Sequence, residues 1–169
     1  KIVIMSATIN IKVFRDYFPS KHFKFNEVDA GEFTSYPIED FWLYKRPKPN
    51  EWKDHAIEKI IKILKKTDKG DILVFIRASG DGRMLCQSLI QQVKRIKSDD
   101  INPFCVVLAG NSSKEDEHLA TDEHQYTSLL DSFGKKYTRK VVMSTNVAES
   151  SLTVDGVVFV VDCGLEYEE

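Results

Sequence analysis

Unbroken apolar runs alternate along this chain with stretches whose apolar residues recur at helical spacing. The runs are KIVIM at 1–5, ILVFI at 72–76, FCVVLA at 104–109, KVVM at 140–143 and VVFVV at 157–161. They lack the alternation of a half-wet strand and predict strands covered on both faces. Apolar positions 52, 56, 57, 60, 61, 63 and 64 make a broad stripe on a helix. Leu85, Leu89, Val93 and Ile96 place a second helix at about 82–97. Ile11, Phe14 and Phe18 predict a short helix that Pro19 stops. HFKFNEV at 22–28 and IEDFWLYK at 38–45 predict two further strands.

Local signals punctuate these elements. Asn50 is a candidate N-cap for the first long helix, and Ser112 or Ser113 for an acidic one that follows. Gly80 and Gly82 make RASGDGR, 77–83, a predicted loop. From residue 50 the order is helix, strand, helix, strand, helix, strand, loop, strand. That order predicts an α/β fold with a parallel sheet and helices on both faces.

Composition narrows the picture only a little. The 169 residues carry a net charge of -2, which argues against nucleic-acid binding by bulk charge but not by a short groove. Nine basic residues against four acidic ones fall within 45–69, and five acidic against one basic within 114–123. Both read most simply as solvated helix faces. Cys86, Cys105 and Cys163 are odd in number, far apart and set among apolar residues. They are expected to be buried free thiols in a reducing compartment. The four histidines have no ligand spacing, so surface positions and no metal site are expected. No apolar run is long enough to span a membrane, and an intracellular chain is expected. The start on a strand-like run without Met suggests a piece of a longer protein.

The most informative stretch is STNVAESSLTVDG, 144–156, between two apolar strands. Ligands of parallel sheets bind beyond the carboxyl ends of strands, and Thr145 and Asn146 fall there. Their short side chains can donate to phosphate oxygens and so position a backbone without reading bases. Leu152 reads as a plug that anchors the loop. Thr153 and Asp155 alternate with apolar residues and should share a face, a hydroxyl and a carboxylate suited to a ribose or a metal-bound water. Singly, each has a plainer reading as a cap or turn residue. SGDG at 79–82 lacks the GxGxxG spacing of a dinucleotide fold.

RKVVMSTNVAESSLTVDGVVFVVDCGL, 139–165, resembles the fifth motif and flanking strands of DEAH-box helicases, the DEAH/RHA group of superfamily 2. MSAT at 5–8 resembles the third motif, GDILVFI at 70–76 the strand of motif four, and LAGNSSKEDE at 108–117 a segment where the second lobe meets nucleic acid. The resemblance implies a RecA-like three-layer sandwich. Residues 1–20 would be the last strand and following helix of a first lobe, and 21–169 a second lobe that stops before motif six.

It also implies roles, position by position. Ser6, Ala7 and Thr8 would couple the lobes. Thr145 and Asn146 would touch the strand backbone, with Ser79 or Gly80 adding a contact from the motif-four loop. Ser151 would face the nucleotide, Thr153 and Asp155 its ribose, and Phe133 its base. ATP, or any nucleoside triphosphate, and Mg2+ would be held mainly by the first lobe, because no phosphate loop, DEAH box or motif six is present. The implied partners are single-stranded RNA or DNA and the first lobe of the same protein, with no membrane. The implied activity is an ATP-dependent helicase moving 3′ to 5′, unable to hydrolyse ATP through this chain alone; a non-catalytic helicase-like scaffold is the alternative.

Overall fold

A computed structural model describes residues 3–5, 11–18, 24, 26–28, 36–96, 98, 100–146 and 152–165. The chain divides into two units, Lys1–Leu43 and Tyr44–Glu169. In the first, α1 spans Ile11–Tyr17 and buries no residue. Arg15 pairs with Glu27, and the rings of Tyr17 and Phe18 meet edge to face. The strands expected at 1–5, 22–28 and 38–45 do not form among the described residues. Val3, Met5, Phe41 and Trp42 are exposed. A strand is stable only when a neighbour takes its backbone hydrogen bonds, and the described residues there have no such neighbour.

The second unit contains α2 (Trp52–Lys66), β1 (Asp71–Phe75), α3 (Ser79–Ile96), β2 (Pro103–Leu108), α4 (Lys114–Thr121), β3 (Arg139–Ser144) and β4 (Val157–Asp162). A single 3-10 turn, Gln125–Ser128, follows α4. The four strands pair in parallel in the order β2-β3-β1-β4. The sheet has a helical layer on each face, as the alternation predicts. One face carries α2 and α3, whose Ile57, Ile60, Leu85 and Leu89 pack with Ile72, Val74, Val141 and Met143 of the sheet. The other face packs Ala120 of α4 with Leu73, Val106, Leu108 and Val142, joined by Leu152 and Val154. Leu152 is therefore the plug its position suggests.

Three local expectations change. α2 is capped by Glu51, not Asn50. The Glu51 amide closes a turn onto the Lys48 carbonyl, and its carboxylate accepts from the Lys48 amide at 3.2 Å, leaving Asn50 inside the turn. α3 starts at Ser79, so most of the expected 77–83 loop is helix. Gly82 was the misleading signal. A Cβ there would stand 2.7 Å from Ile76 Cδ1 and 3.0 Å from Val107 Cγ1, so the glycine serves close helix–sheet packing.

Thirdly, Cys86 and Cys105 are joined in a disulfide, contrary to the free thiols expected; Cys163 alone is free. Their 19-residue separation gave no hint of the pairing. The crossover from α3 into β2 lays the inner face of the helix on the strand and brings the two Cα atoms to 5.6 Å. The acidic helix α4 ends at Thr121 and is capped at its start by Ser113, one of the two serines expected. Ser113 Oγ accepts from the Asp116 amide and donates to its carboxylate at 2.8 Å. Ser112 instead ties Ala109 to Val107.

Candidate nucleic-acid interface

The register fixes which polar residues meet. Phe75 of β1 pairs with Ser144 of β3, and Leu108 of β2 with the same Ser144. The three strands thus end together. The Ile76 amide donates to the Ser144 carbonyl at 2.8 Å, and the Thr145 amide to the Leu108 carbonyl at 3.0 Å. Ser144 is fully buried and turns its hydroxyl onto the Thr145 carbonyl. The next residues leave the sheet: Thr145 is half-buried and Asn146 exposed. Ser79 and Gly80 form the first turn of α3, three residues past Ile76, and a Cβ on Gly80 would meet nothing within 4 Å. Thr145, Asn146, Ser79 and Gly80 therefore share the carboxyl edge of adjacent strands, where ligands of parallel sheets bind.

The other expected residues do not join this group. Thr153 and Asp155 are both exposed, but they lie on the segment that runs back to the amino edge. There the Asp155 amide donates to the Thr121 carbonyl, and Gly156 accepts from the Asp71 amide at the start of β1. Phe133 also lies away from the carboxyl edge. It is exposed in a turn before β3, with the Lys94 ammonium 5.2 Å from its ring. Ser6, Ala7, Thr8 and Ser151 fall outside the described residues.

The Phe133 turn is held by Asp131. Its carboxylate accepts from the amides of Lys135 and Phe133 and from Asn102 Nδ2, and the Lys135 bond leads in keeping its pKa below the ordinary 3.8. A depressed carboxylate stabilises above its ordinary pKa and loses that contribution as pH falls through the lowered value. Asp131→Asn is therefore expected to lower the melting temperature at neutral pH, and the deficit to close below about pH 3.8. A deficit unchanged down to strongly acid pH would contradict it.

Sequence reasoning missed two charged clusters. The first sits at the amino edge. Lys140 has no exposed surface, and its Nζ donates to the carbonyls of Ala120 at 2.9 Å and Asp122 at 2.7 Å, with Asp155 O at 3.4 Å and Asp71 Oδ2 at 3.8 Å. Asp71 accepts from the Lys140 amide at 3.0 Å and from the Tyr126 hydroxyl. Burial pushes the Asp71 carboxyl up and the Lys140 ammonium down, each opposed by the partner's charge. Arg139 reaches Thr67 and the Gly70 carbonyl and lies 5.4 Å from the Phe159 ring. Two cations beginning an apolar strand were the available signal, since such charges cannot enter a core unpaired.

The second cluster lies at the carboxyl edge. Trp52 and Lys53 open α2, and Arg77 and Asp81 flank the start of α3. Lys53 Nζ is 2.6 Å from Asp81 Oδ1, and Arg77 Nε and Nη2 are each 3.1 Å from Asp81 Oδ2. Both cations stand over the buried Trp52 ring, at 5.6 Å and 5.3 Å.

No family model matches the chain. A protein of Acanthamoeba polyphaga mimivirus named as an ATP-dependent RNA helicase is 34% identical over 166 residues, 98% of this chain and 22% of its own length. ATP-dependent RNA helicase HrpA of Borreliella burgdorferi is 30% identical over 97% of this chain and 18% of its own. The crystal structure of the E. coli DExH-box NTPase HrpB matches at a TM-score of 0.50 and 30% identity, over 71% of this chain and 13% of that one. The chain thus spans about a fifth of the length of the curated relatives it matches. Among the described residues no helix is long and apolar enough to cross a membrane, and no group of three His, Cys, Asp or Glu could hold a metal ion.

Proposed function

We infer that this chain, homologous over nearly its whole length to ATP-dependent RNA helicases of the DEAH-box type, supplies the second RecA-like lobe of such an enzyme together with the end of the first. The whole protein would couple nucleoside triphosphate hydrolysis to movement along single-stranded RNA or DNA and to unwinding. The observation that carries this reading is the gathering of Thr145, Asn146, Ser79 and Gly80 at one sheet edge. Short donors just past the end of β3 and in the first turn of α3 can hold a sugar-phosphate chain. Residues 1–20 belong to the first lobe in this reading, and Ser6, Ala7 and Thr8 couple it to the second.

The loop that begins at Thr145 re-enters through Leu152 and reaches the amino edge at Asp155. It therefore connects two surfaces of one sheet. Ser151 would sense the nucleotide, Thr153 and Asp155 would offer a hydroxyl and a carboxylate to its ribose, and Phe133 would offer a ring face to its base. In this reading Mg2+ and the phosphates of ATP would be held mainly by the first lobe.

Strand displacement by the full-length protein tests the assignment. It should require a nucleoside triphosphate, and the double variant Thr145→Ala, Asn146→Ala should lower it about tenfold, two hydrogen bonds at roughly 0.5–1.5 kcal/mol each. Displacement with no triphosphate present, none with any, or a variant as fast as the parent would overturn the reading.

A further inference from the structure

The carboxyl edge carries charge in an arrangement that fold stability alone does not require. Helix N-termini bear partial positive charge, so cations there are disfavoured and carboxylates favoured. Asp81, in the first turn of α3, fits that rule. Lys53, in the first turn of α2, and Arg77, two residues before α3, go against it. Two cations share one carboxylate, so the cluster keeps an excess positive charge. Of the five guanidinium N–H groups of Arg77, those on Nη1 meet no acceptor among the described residues. The Arg77 side chain is 41% exposed and that of Lys53 29%. Asp81 fixes both heads from one side, and the indole of Trp52 supports them from beneath. A cation held this way loses little further freedom on meeting an anion.

Position selects the anion. Arg77 directly follows Ile76, whose amide is bonded to the Ser144 carbonyl, one residue before Thr145. The cluster therefore continues the row of donors formed by Ser79, Gly80, Thr145 and Asn146 along the same edge. We propose that Arg77 and Lys53, braced by Asp81 and Trp52, are a phosphate clamp that binds a phosphodiester of the single strand beyond the backbone contact of Thr145 and Asn146. This rests on the reading of that edge as a nucleic-acid interface. It adds the ionic contact that the neutral donors lack, and it explains how a chain of net charge -2 holds a polyanion locally.

Fluorescence anisotropy of a short labelled oligouridine, titrated with the full-length protein over a range of salt, tests the clamp. Arg77→Gln should weaken binding about tenfold at low salt, the loss of one charge-assisted contact. It should also flatten the dependence of log K on log salt by about 0.7, one single-strand phosphate contact. Arg77→Lys should keep the slope. A structural role would not move the slope, and thermal melting checks that each variant folds. An unchanged slope in Arg77→Gln, with weakened binding in the Thr145→Ala, Asn146→Ala variant, would overturn the clamp and leave the interface standing. No binding by the unsubstituted full-length protein would overturn both. A loss confined to labelled ATP, with oligouridine affinity intact, would give the cations to a nucleotide and also refute the clamp.

Discussion

Lys140→Ala is expected to destabilise the second unit by about 3–5 kcal/mol, the range found when one partner of a buried ion pair is removed. Four consequences combine. The Ala120 and Asp122 carbonyls lose their donor at the end of α4. The Asp155 carbonyl loses its partner where the loop from Thr145 enters β4. Asp71 keeps the Lys140 amide and Tyr126 but loses the opposing charge. The vacated volume lies under a side chain with no exposed surface. Against a typical total of about 5–15 kcal/mol, this is a large fraction. Urea unfolding followed by far-UV circular dichroism measures it. Lys140→Met retains most of the volume and should cost less, separating the polar loss from the cavity. A deficit under about 1 kcal/mol for the alanine variant would show that the carbonyls find other donors.

Gly70→Ala should cost about 2–5 kcal/mol, from two sources that add. Gly70 has φ +88°, where a Cβ costs roughly 1–2 kcal/mol. The new Cβ would also stand 2.5 Å from Val158 Cβ, and relieving that overlap must move the backbone of β4, at roughly 1–3 kcal/mol. Among the described residues β4 has one strand neighbour, so it should yield before β1 does. The Asp71 amide, bonded to Gly156 at 2.8 Å, should then lose its protection from hydrogen exchange while the β1–β3 amides keep theirs. Gly80→Ala is the matched control. That helical position has open space around it and should gain about 0.5–1 kcal/mol.

What was legible in the sequence follows from what each signal measures. Apolar runs report burial on both faces, so β1, β2 and β3 were readable and the parallel sheet followed from their alternation with helices. The same signal failed at β4, whose Val158 and Val160 are exposed, and among the described residues at 3–5, because an apolar run cannot say whether a neighbour is present. Gly82 was misread because composition does not separate a glycine needed for a turn from one needed for close packing. Thr145 and Asn146 could be placed because a strand end needs only local reading. The clusters around Lys140 and Asp81 could not. Lys140 and Asp71 alone lie 69 residues apart, and no spacing rule joins such members. The lysine and arginine opening an otherwise apolar strand were visible but unexplained until the topology supplied carbonyls and a carboxylate.

The bond between Cys86 and Cys105 makes a closed ring of the second half of α3 and the start of β2. The ring survives denaturation. Urea therefore releases a lariat rather than a free coil, and the lost loop freedom favours refolding by about 3 kcal/mol for a loop of this size. A backbone cut anywhere between Cys86 and Cys105 would leave the two pieces joined until a reductant is added.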